Sequence, residues 1–292
     1  MTLDPTGPRV VAIGGGRGLS SSLHSLRQYA SEITAIVSVA DDGGSTGELR
    51  KLTDVPAMGD LRKSLVALGH DDGLLAASME YRFASGPMKD HAMGNLLITA
   101  MTEVGGDIVA VLDELGGLLH SEGRVLPATT LPVTLRGLAG GREVLGQVRV
   151  SQTSGLDGVS LVPADPPALP EAVEALTVAD QVVIGPGSLY TSVLAALAVP
   201  QLLEAVLASP AQTVYVCNLR PQRGETSGYT LGDYAGALVR HGLETDCILY
   251  DSKALEPDPQ VPCAVAAELA RDGVTHDPKL LAAALKDLAE KR

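Results

Sequence analysis

Residues 9–22 read RVVAIGGGRGLSSS, a short apolar run that ends in a glycine-rich turn and then in hydroxyl side chains. An apolar run that leads through glycines into a helical pattern from Leu19 predicts a first strand followed by a helix. Glycine lets backbone N–H groups turn toward a ligand, and the free N–H groups of a helix's first turn attract anions. The alternative is a tight, well-packed turn without a ligand. We expect phosphate contacts from Gly14, Gly15, Gly16, Gly18, Leu19 and Ser20.

The glycine turn differs from two familiar phosphate-binding loops. No lysine follows the glycines, which separates the turn from a P-loop. Ser21 stands where a dinucleotide-binding fingerprint has its third glycine, so that match is loose as well. The ligand therefore has to be inferred together with other parts of the chain.

Composition and charge restrict the classes of partner. The 292 residues include 35 acidic and 22 basic side chains, which gives a formal charge of −13. Such a chain lacks the basic surface that binds nucleic acid or an anionic membrane, although a local group of N–H donors can still hold a small anion. The apolar content of 45% is sufficient for a large buried core.

Cysteine usage and hydropathy favour a reducing compartment. The three cysteines show no C-x-x-C spacing, so the sequence predicts neither a disulfide framework nor a zinc site. The first residues do not have the basic and then apolar pattern of a leader, and no run approaches about 18 apolar residues. We expect neither secretion nor membrane insertion.

A second buried strand is predicted at Ile33 to Ala40, and an acidic turn, DDGGSTG, follows it directly. Ligands of open α/β sheets bind at the carboxyl ends of strands, where this turn lies. Asp41 or Asp42 could accept a sugar hydroxyl, hold a hydrated Mg²⁺ that bridges phosphates, or only cap the turn. We expect both carboxylates at a ligand or metal, together with Gly43 and Gly44.

The next helix is predicted to open at MGDLRK, residues 58–63, with Asp60 as its N-cap. Arg62 and Lys63 then lie in the first turn, where the helix dipole disfavours cations. An anion close by would explain that placement, so Arg62 is a candidate for charge stabilisation, and a solvated basic pair is the alternative. His91 is interpreted as a hydrogen-bonded structural residue.

The stretch from residue 123 to residue 162 predicts a β-rich insertion within a single domain of residues 1–292. Apolar and polar residues alternate there, and Gly140 with Gly141 indicates a hairpin. We expect antiparallel strands at Val133 to Leu138 and at Glu143 to Val150. Strands and helices alternate over the rest of the chain, which predicts a mostly parallel sheet between two helical layers.

A second glycine turn, GPGSLYTS, follows the predicted strand Ala179 to Ile184 and leads into a helix. This repeats the arrangement of the first turn and predicts a second anion cradle. Its expected contacts are Gly185, Pro186, Gly187, Ser188 and Thr191.

A later strand, Gln212 to Cys217, leads to Asn218 and Arg220. The Asn218 amide could bind the edge of a base or only form a turn. Asp246 to Tyr250 is predicted as the last strand, and Pro278 to Lys291 as a final helix whose leucines face inward.

The sequence contains no complete catalytic constellation. An H-E-x-x-H motif is absent, and Ser188 lacks the context of a nucleophile elbow. Asp41 or Asp42 is the best candidate for holding a metal or accepting a proton, and Arg62 for stabilising charge. Donors at two strand ends with carboxylates between them favour a nucleotide-diphosphate pocket.

Seven motifs in order along residues 9–251 resemble those of the YvcK family, the gluconeogenesis factors, which is similar to the phospholactate transferase (CofD) family. They read GGGRGLS, ADDGGSTGELR, GDLRK, HAMGNLL, RVLPATT, GPGSLYTSV and CNLRPQRGETSGY. The resemblance implies a Rossmann-like three-layer α/β/α fold and a cytoplasmic protein that binds a UDP-sugar, UDP-N-acetylglucosamine or UDP-glucose. It also implies a role in cell shape and envelope supply during gluconeogenic growth.

The resemblance assigns roles motif by motif. The two glycine turns look like the contacts of the nucleotide diphosphate, and Asn218 and Arg220 look like its nucleotide side. Asp41 and Asp42 match the acidic pair at which the transferases place metal and acceptor, and Asn95 in HAMGNLL is a further candidate contact. GGSTG after the acidic pair is more glycine-rich than the transferase stretch, which favours the YvcK side.

Two functions of different class follow, and a homodimer is implied by similar proteins. The first is a regulatory protein that binds a UDP-sugar without turnover. The alternative is a Mg²⁺-dependent phosphoryl-type transferase similar to 2-phospho-L-lactate transferase. An NAD-dependent enzyme ranks last, because a glycine-rich DDGG turn stands where a ribose-binding carboxylate is usual.

Overall fold

The computed structural model of this protein describes residues 3–50, 53, 55–69 and 73–291. A seven-stranded parallel sheet and a three-stranded antiparallel sheet contain its strands. The strands are β1 Arg9–Gly14, β2 Glu32–Val37, β3 Arg124–Pro127, β4 Thr134–Ala139, β5 Arg142–Leu145, β6 Leu156–Val162, β7 Gln181–Ile184, β8 Gln212–Val216, β9 Cys247–Asp251 and β10 Ala264–Ala267.

The helices alternate with these strands. They are α1 Gly16–Leu26, α2 Gly44–Leu49, α3 Gly59–Leu68, α4 Leu74–Glu80, α5 Met93–Gly105, α6 Ile108–Leu118, α7 Gln147–Ser151, α8 Pro170–Val178, α9 Leu194–Leu197, α10 Pro200–Ala208, α11 Leu231–Arg240 and α12 Pro278–Glu290. A π-helical turn, Leu189–Val193, runs directly into α9.

The parallel sheet has the order β3-β2-β1-β7-β8-β9-β10, so the chain moves outward from β1 in one direction and later returns to the other side of β1. The topological switch point therefore lies between β1 and β7. Ile13 is the register partner of Ile184 there, which places the ends of both strands side by side. Open α/β sheets bind ligands at such a point, outside the carboxyl ends of the strands.

The central strands are apolar throughout because helices cover both faces of the sheet. All four residues of β7 are buried, as are the last five of β1 and of β2. Helix α1 packs against α3 and α12. Helix α8 contacts the strands β1, β2 and β3. The predicted inward side chains of α12, Leu281, Leu285 and Leu288, are buried, so that prediction and the three-layer fold class are confirmed.

The antiparallel sheet has the order β5-β4-β6. Gly140 and Gly141 have φ of +53° and +77°, the left-handed pair that a two-residue hairpin requires. The predicted strand Glu143 to Val150 is wrong in its second half, because residues 147–151 form α7. The cause is a tertiary contact, since Asp42 Oδ1 accepts the N–H of Val148 at 3.0 Å and caps this helix from a distant part of the chain.

Four further boundaries differ from the sequence prediction. Helix α1 begins at Gly16 rather than Leu19, because the backbone turns helical within the glycines. Met58, not Asp60, is the N-cap of α3, so Asp60 lies inside the first turn. Strand β10 is short and consists of small residues, and it extends the sheet beyond the predicted last strand. Strand β3 lies within residues 123–162, the predicted insertion, but it pairs with the parallel sheet.

In the described part of the chain, no single helix is long and apolar enough to cross a membrane. Two consecutive helical segments, Leu189–Leu197 and Pro200–Ala208, are together long and apolar enough, but the chain bends by 80° between them.

Candidate functional site

The two glycine turns contact each other at the switch point. A Cβ on Gly18 would lie 2.2 Å from the carbonyl oxygen of Pro186, and one on Gly187 would lie 3.4 Å from the carbonyl oxygen of Gly15. The first distance excludes a side chain at position 18, and the second is an ordinary van der Waals contact. The structure therefore brings the turn after β1 and the turn after β7 to one rim.

The N-terminus of α1 faces this rim with its backbone donors. Gly15 is the N-cap in an extended conformation, and among the described residues no side chain caps the first turn. The amides of Gly16, Arg17 and Gly18 are thus in the position where helices bind anions. Arg17 is exposed, and the described part of the chain gives its guanidinium no ion pair. A cation at the second helical position opposes the dipole, which an anion at the same place would offset.

The remaining residues of the first turn support its shape. Leu19 is completely buried and anchors α1 in the core, and the Ser20 hydroxyl donates to the carbonyl oxygen of Gly16 at 3.4 Å. The Gly14 carbonyl oxygen accepts the N–H of Ser38 at 2.9 Å, which ties β1 to the segment after β2.

The second glycine turn already contains a buried acidic group, the carboxyl of Glu225. Its Oε2 accepts the Thr191 N–H at 3.2 Å, and its Oε1 accepts the Thr191 hydroxyl at 3.4 Å. Ser188 and the N–H of Tyr190 also donate to this carboxyl group. Glu225 is 2% exposed, and burial raises its pKa to about 7. The hydrogen bonds lower this pKa, but the effect of burial is larger.

The predicted second anion cradle therefore needs correction. The Gly185 N–H donates to Ile13 at 2.8 Å, Pro186 has no N–H, and the Gly187 N–H donates to Asn218 Oδ1 at 3.1 Å. These donors and those of Thr191 are used inside the protein. The turn shapes the rim, and the first turn of α1 still offers its backbone donors to a ligand.

Asn218 holds the second turn in place with both ends of its amide. Its Nδ2 donates to the Gly187 carbonyl oxygen at 2.8 Å, while its Oδ1 accepts the Gly187 N–H. Asn218 thus positions this turn, and the contact between its amide and a base stays a prediction. Arg220 is exposed two residues later and lies beside Asp272.

The acidic turn divides its two carboxylates between different partners. Asp41 accepts the Gly43 N–H at 3.0 Å and lies beside Gly59, while Asp42 caps α7. Burial raises the pKa of Asp41, and the charge of Asp60 adds to that rise. The metal pair Asp41 and Asp42 stays a prediction, with Asp42 engaged by α7 and the charge of Asp60 close enough to act on Asp41.

Asp60 links the acidic turn to the anion-binding end of α1. A Cβ on Gly15 would lie 2.6 Å from Asp60 Oδ2, and Lys63 Nζ donates to Asp60 Oδ1 at 2.8 Å. Among the described residues no three His, Cys, Asp or Glu side chains converge on one point. Carboxylates beside the uncapped N-terminus of α1 still suit Mg²⁺, which keeps several waters and takes few protein ligands. Asp41 and Asp60 are the residues that would hold it.

Arg62 points away from the strand ends. Its guanidinium donates to the Met79 carbonyl oxygen at 3.0 Å and to Glu80 at 2.6 Å, and the residue is 1% exposed. The prediction that it stabilises charge at a ligand is corrected, because α3 turns this side chain toward α4. Among the described residues, Lys63 and Arg50 are cations close to Asp41, and Arg50 donates to the Asp41 carbonyl oxygen at 3.0 Å.

Asn95 reaches the acidic turn through Ser45 rather than directly. Its Nδ2 donates to Ser45 Oγ at 3.3 Å, and the same oxygen lies 3.1 Å from His91 Nδ1. Ser45, His91 and Gly44 line a cavity of about 310 Å³ beside Asp42. Asn95 is buried, so its role is to fix α2 against the start of α5.

Sequence reasoning missed three residues of the site. Arg17 had a signal, namely a cation inside the glycine turn at a position that opposes the helix dipole. Asp60 was assigned only to a cap, and its approach to Gly15 depends on how α1 and α3 pack. Glu225 had no local signal, because it reaches the second turn from a loop 34 residues after Thr191.

Comparisons with known proteins agree with the fold. The family model of the 2-phospho-L-lactate transferase CofD matches residues 10–286. The gluconeogenesis factor of Halalkalibacterium halodurans is 43% identical over 82% of this chain and 77% of its own. A crystal structure of a UPF0052 family protein from Bacillus halodurans is 36% identical with a TM-score of 0.90, over 96% of this chain and 99% of that one.

Some relatives are considerably longer. A Nostoc relative is 44% identical over 80% of this chain, and a Deinococcus radiodurans relative is 40% identical over 97% of it. The chain spans 52% of the first and 66% of the second. Family model, curated relatives and solved structure agree, so the chain belongs to the CofD family and is a relative of the gluconeogenesis factors in it.

Proposed function

We propose that this protein binds a UDP-sugar, UDP-N-acetylglucosamine or UDP-glucose, in the crevice between β1 and β7. We further propose that it acts as a cytoplasmic regulator of cell shape and envelope supply during gluconeogenic growth. The observation that carries the binding proposal is the uncapped N-terminus of α1 at the topological switch point, with exposed Arg17 in its first turn.

The arrangement of charge supports a diphosphate as the group held there. Backbone amides and one guanidinium lie on one side, and Asp60 lies directly against Gly15 on the other. Carboxylates accept hydrogen bonds from the hydroxyl groups of a sugar, so a sugar linked to the diphosphate would extend toward Asp60 and Asp41. The names of the relatives support the gluconeogenic role, and a homodimer stays a prediction.

Arg17→Ala provides the test of this site. Loss of a charge-assisted hydrogen bond to phosphate is expected to weaken UDP-N-acetylglucosamine binding roughly 10-fold to 100-fold in titration calorimetry. Arg142→Ala, an exposed arginine on β5, is the matched control and should leave the affinity unchanged. Equal affinities of the two variants, or no binding by the unaltered protein, would refute the proposal.

The second candidate function is a Mg²⁺-dependent phosphoryl-type transferase. The observation that favours it is the half-buried Asp41, whose pKa is raised by burial and, to a smaller extent, by the charge of Asp60. When bound, Mg²⁺ would neutralise charge that develops on a transferred phosphoryl group. Asp41, with its raised pKa, is also the group best placed to accept a proton from an acceptor hydroxyl.

Asp60→Asn separates the two functions. If the protein is a transferase, Mg²⁺-dependent release of nucleotide from a nucleoside-diphosphate donor should fall at least about 100-fold in this variant, while Glu244→Gln, an exposed control, stays active. If the protein only binds, chromatography should detect no released nucleotide from any variant, and UDP-sugar affinity should remain measurable in Asp60→Asn.

A further inference from the structure

The helical hairpin of α5 and α6 leaves an apolar groove on the surface. Its volume is about 390 Å³, and Ala100, Met101, Val104, Ala110 and Val111 line it. Val104 is 91% exposed, and Leu118 on the same hairpin is 58% exposed. Isolated apolar side chains are common on surfaces, but a groove lined by several of them is typical of a binding surface.

Small residues keep the groove open to a close approach. Ala100 and Ala110 carry only a methyl group, and Gly105 and Gly106 join the two helices at its end. A Cβ on Gly106 or on Gly117 would meet no atom within 4 Å. Another helix could therefore lie between α5 and α6 with its side chains in contact with both.

The rim of the groove is acidic. Residues 90–123 contain no lysine or arginine. Glu103, Asp107, Asp113 and Glu114 lie on or between the two helices, and all four are exposed. Asp113 forms an ion pair with Arg124 at 2.7 Å, whereas the described part of the chain provides no ion pair for Glu103 or Glu114.

We propose that this groove docks a basic amphipathic helix of another protein. Helices of this kind bind grooves through apolar side chains on one face, and basic side chains beside that face would meet the acidic rim. A second copy of this chain does not fit as well. A symmetric contact through the groove would bring Glu103 and Glu114 of two molecules together, and like charges at an interface are repulsive.

Fluorescence anisotropy with two synthetic peptides tests the proposal. One peptide of Leu, Lys and Ala, about five helical turns long, carries its leucines on one helical face, and the other has the same composition in scrambled order. Both peptides carry the same charge, so attraction between net charges is equal for both. We expect the ordered peptide to bind at least about 10-fold more tightly.

Variants locate the peptide. Val104→Ser and Ala110→Arg should each weaken binding of the ordered peptide at least about 5-fold, because the first removes apolar contact and the second places a positive charge against the basic peptide. Val239→Ser, an apolar residue 66% exposed on α11, is the matched control and should not change it. The double variant Glu103→Gln, Glu114→Gln should weaken binding and reduce its salt dependence.

Three outcomes would overturn the proposal. The first is equal affinity for both peptides, which would mean attraction by net charge alone. The second is unchanged binding in Val104→Ser and Ala110→Arg. The third is a dimer of the unaltered protein that Ala110→Arg dissociates in sedimentation velocity, because the groove would then be occupied by a second copy.

Discussion

Replacing Gly18 by alanine is expected to destabilise this protein by about 3 kcal/mol and to lower its Tm by roughly 5 °C or more. The added Cβ would lie 2.2 Å from the Pro186 carbonyl oxygen and 2.8 Å from the Gly187 Cα. Both atoms belong to the backbone, so no rotamer change can relieve the clash. The two glycine turns would have to separate at the point where β1 and β7 end, and unfolding in urea with and without the substitution measures the cost.

The matched control is Gly117→Ala on α6. A Cβ there meets no atom within 4 Å, and alanine favours a helix over glycine by up to about 1 kcal/mol. We expect Gly117→Ala to be neutral or slightly stabilising. If Gly18→Ala unfolds at the same urea concentration as the unaltered protein, the two turns do not contact each other as described, and the ligand crevice loses its physical basis.

Strand positions and the location of the crevice could be predicted from sequence because they depend on local patterns. The buried strands β1, β2, β7 and β8 are apolar runs of four to six residues, and glycines mark the turns at their ends. The carboxyl ends of parallel strands lie on one edge of a sheet whatever the side chains do. Sequence alone therefore predicts that the two glycine turns share one rim.

Side-chain directions inside the site could not be predicted in this way. Arg62, one residue before Lys63, points to α4 because position 62 faces the interior of the α3 and α4 packing, whereas Lys63 faces Asp60. Asp41 and Asp42 are adjacent in sequence but have different partners. The position of α7 decides that Asp42 and not Asp41 caps that helix. Such contacts join residues that are up to 106 positions apart, and no local pattern reports them.

The buried Glu225 carboxyl group makes stability depend on pH in a definite direction. Its pKa is raised from 4.5 to about 7 in the folded protein, so the folded state keeps a proton that the unfolded chain releases earlier. The stabilisation by that proton is complete below about pH 4.5 and is lost as pH rises through about 7. The linkage relation gives a loss of about 3 kcal/mol between these limits.

Glu225→Gln should remove this dependence, because an amide does not titrate. We expect the free energy of unfolding of the variant, measured in urea from pH 5 to pH 8, to fall by about 2 to 3 kcal/mol less than that of the unaltered protein. The variant has its own constant cost, since an amide NH₂ placed against the Thr191 N–H loses a hydrogen bond at every pH. The difference between the two pH profiles therefore measures the titration of Glu225 alone.

Other groups also titrate, so the pH profile of the unaltered protein alone does not report on Glu225. Burial raises the pKa of Asp41, which adds a loss of the same sign as pH rises. Burial lowers the pKa of His276 to about 4, so this residue costs stability as pH falls below its usual range, in the opposite direction. Both contributions remain in the variant and cancel on subtraction. Parallel profiles for Glu225→Gln and the unaltered protein would mean that Glu225 is ionised throughout, like a bound phosphate, and that the second turn carries a permanent internal anion.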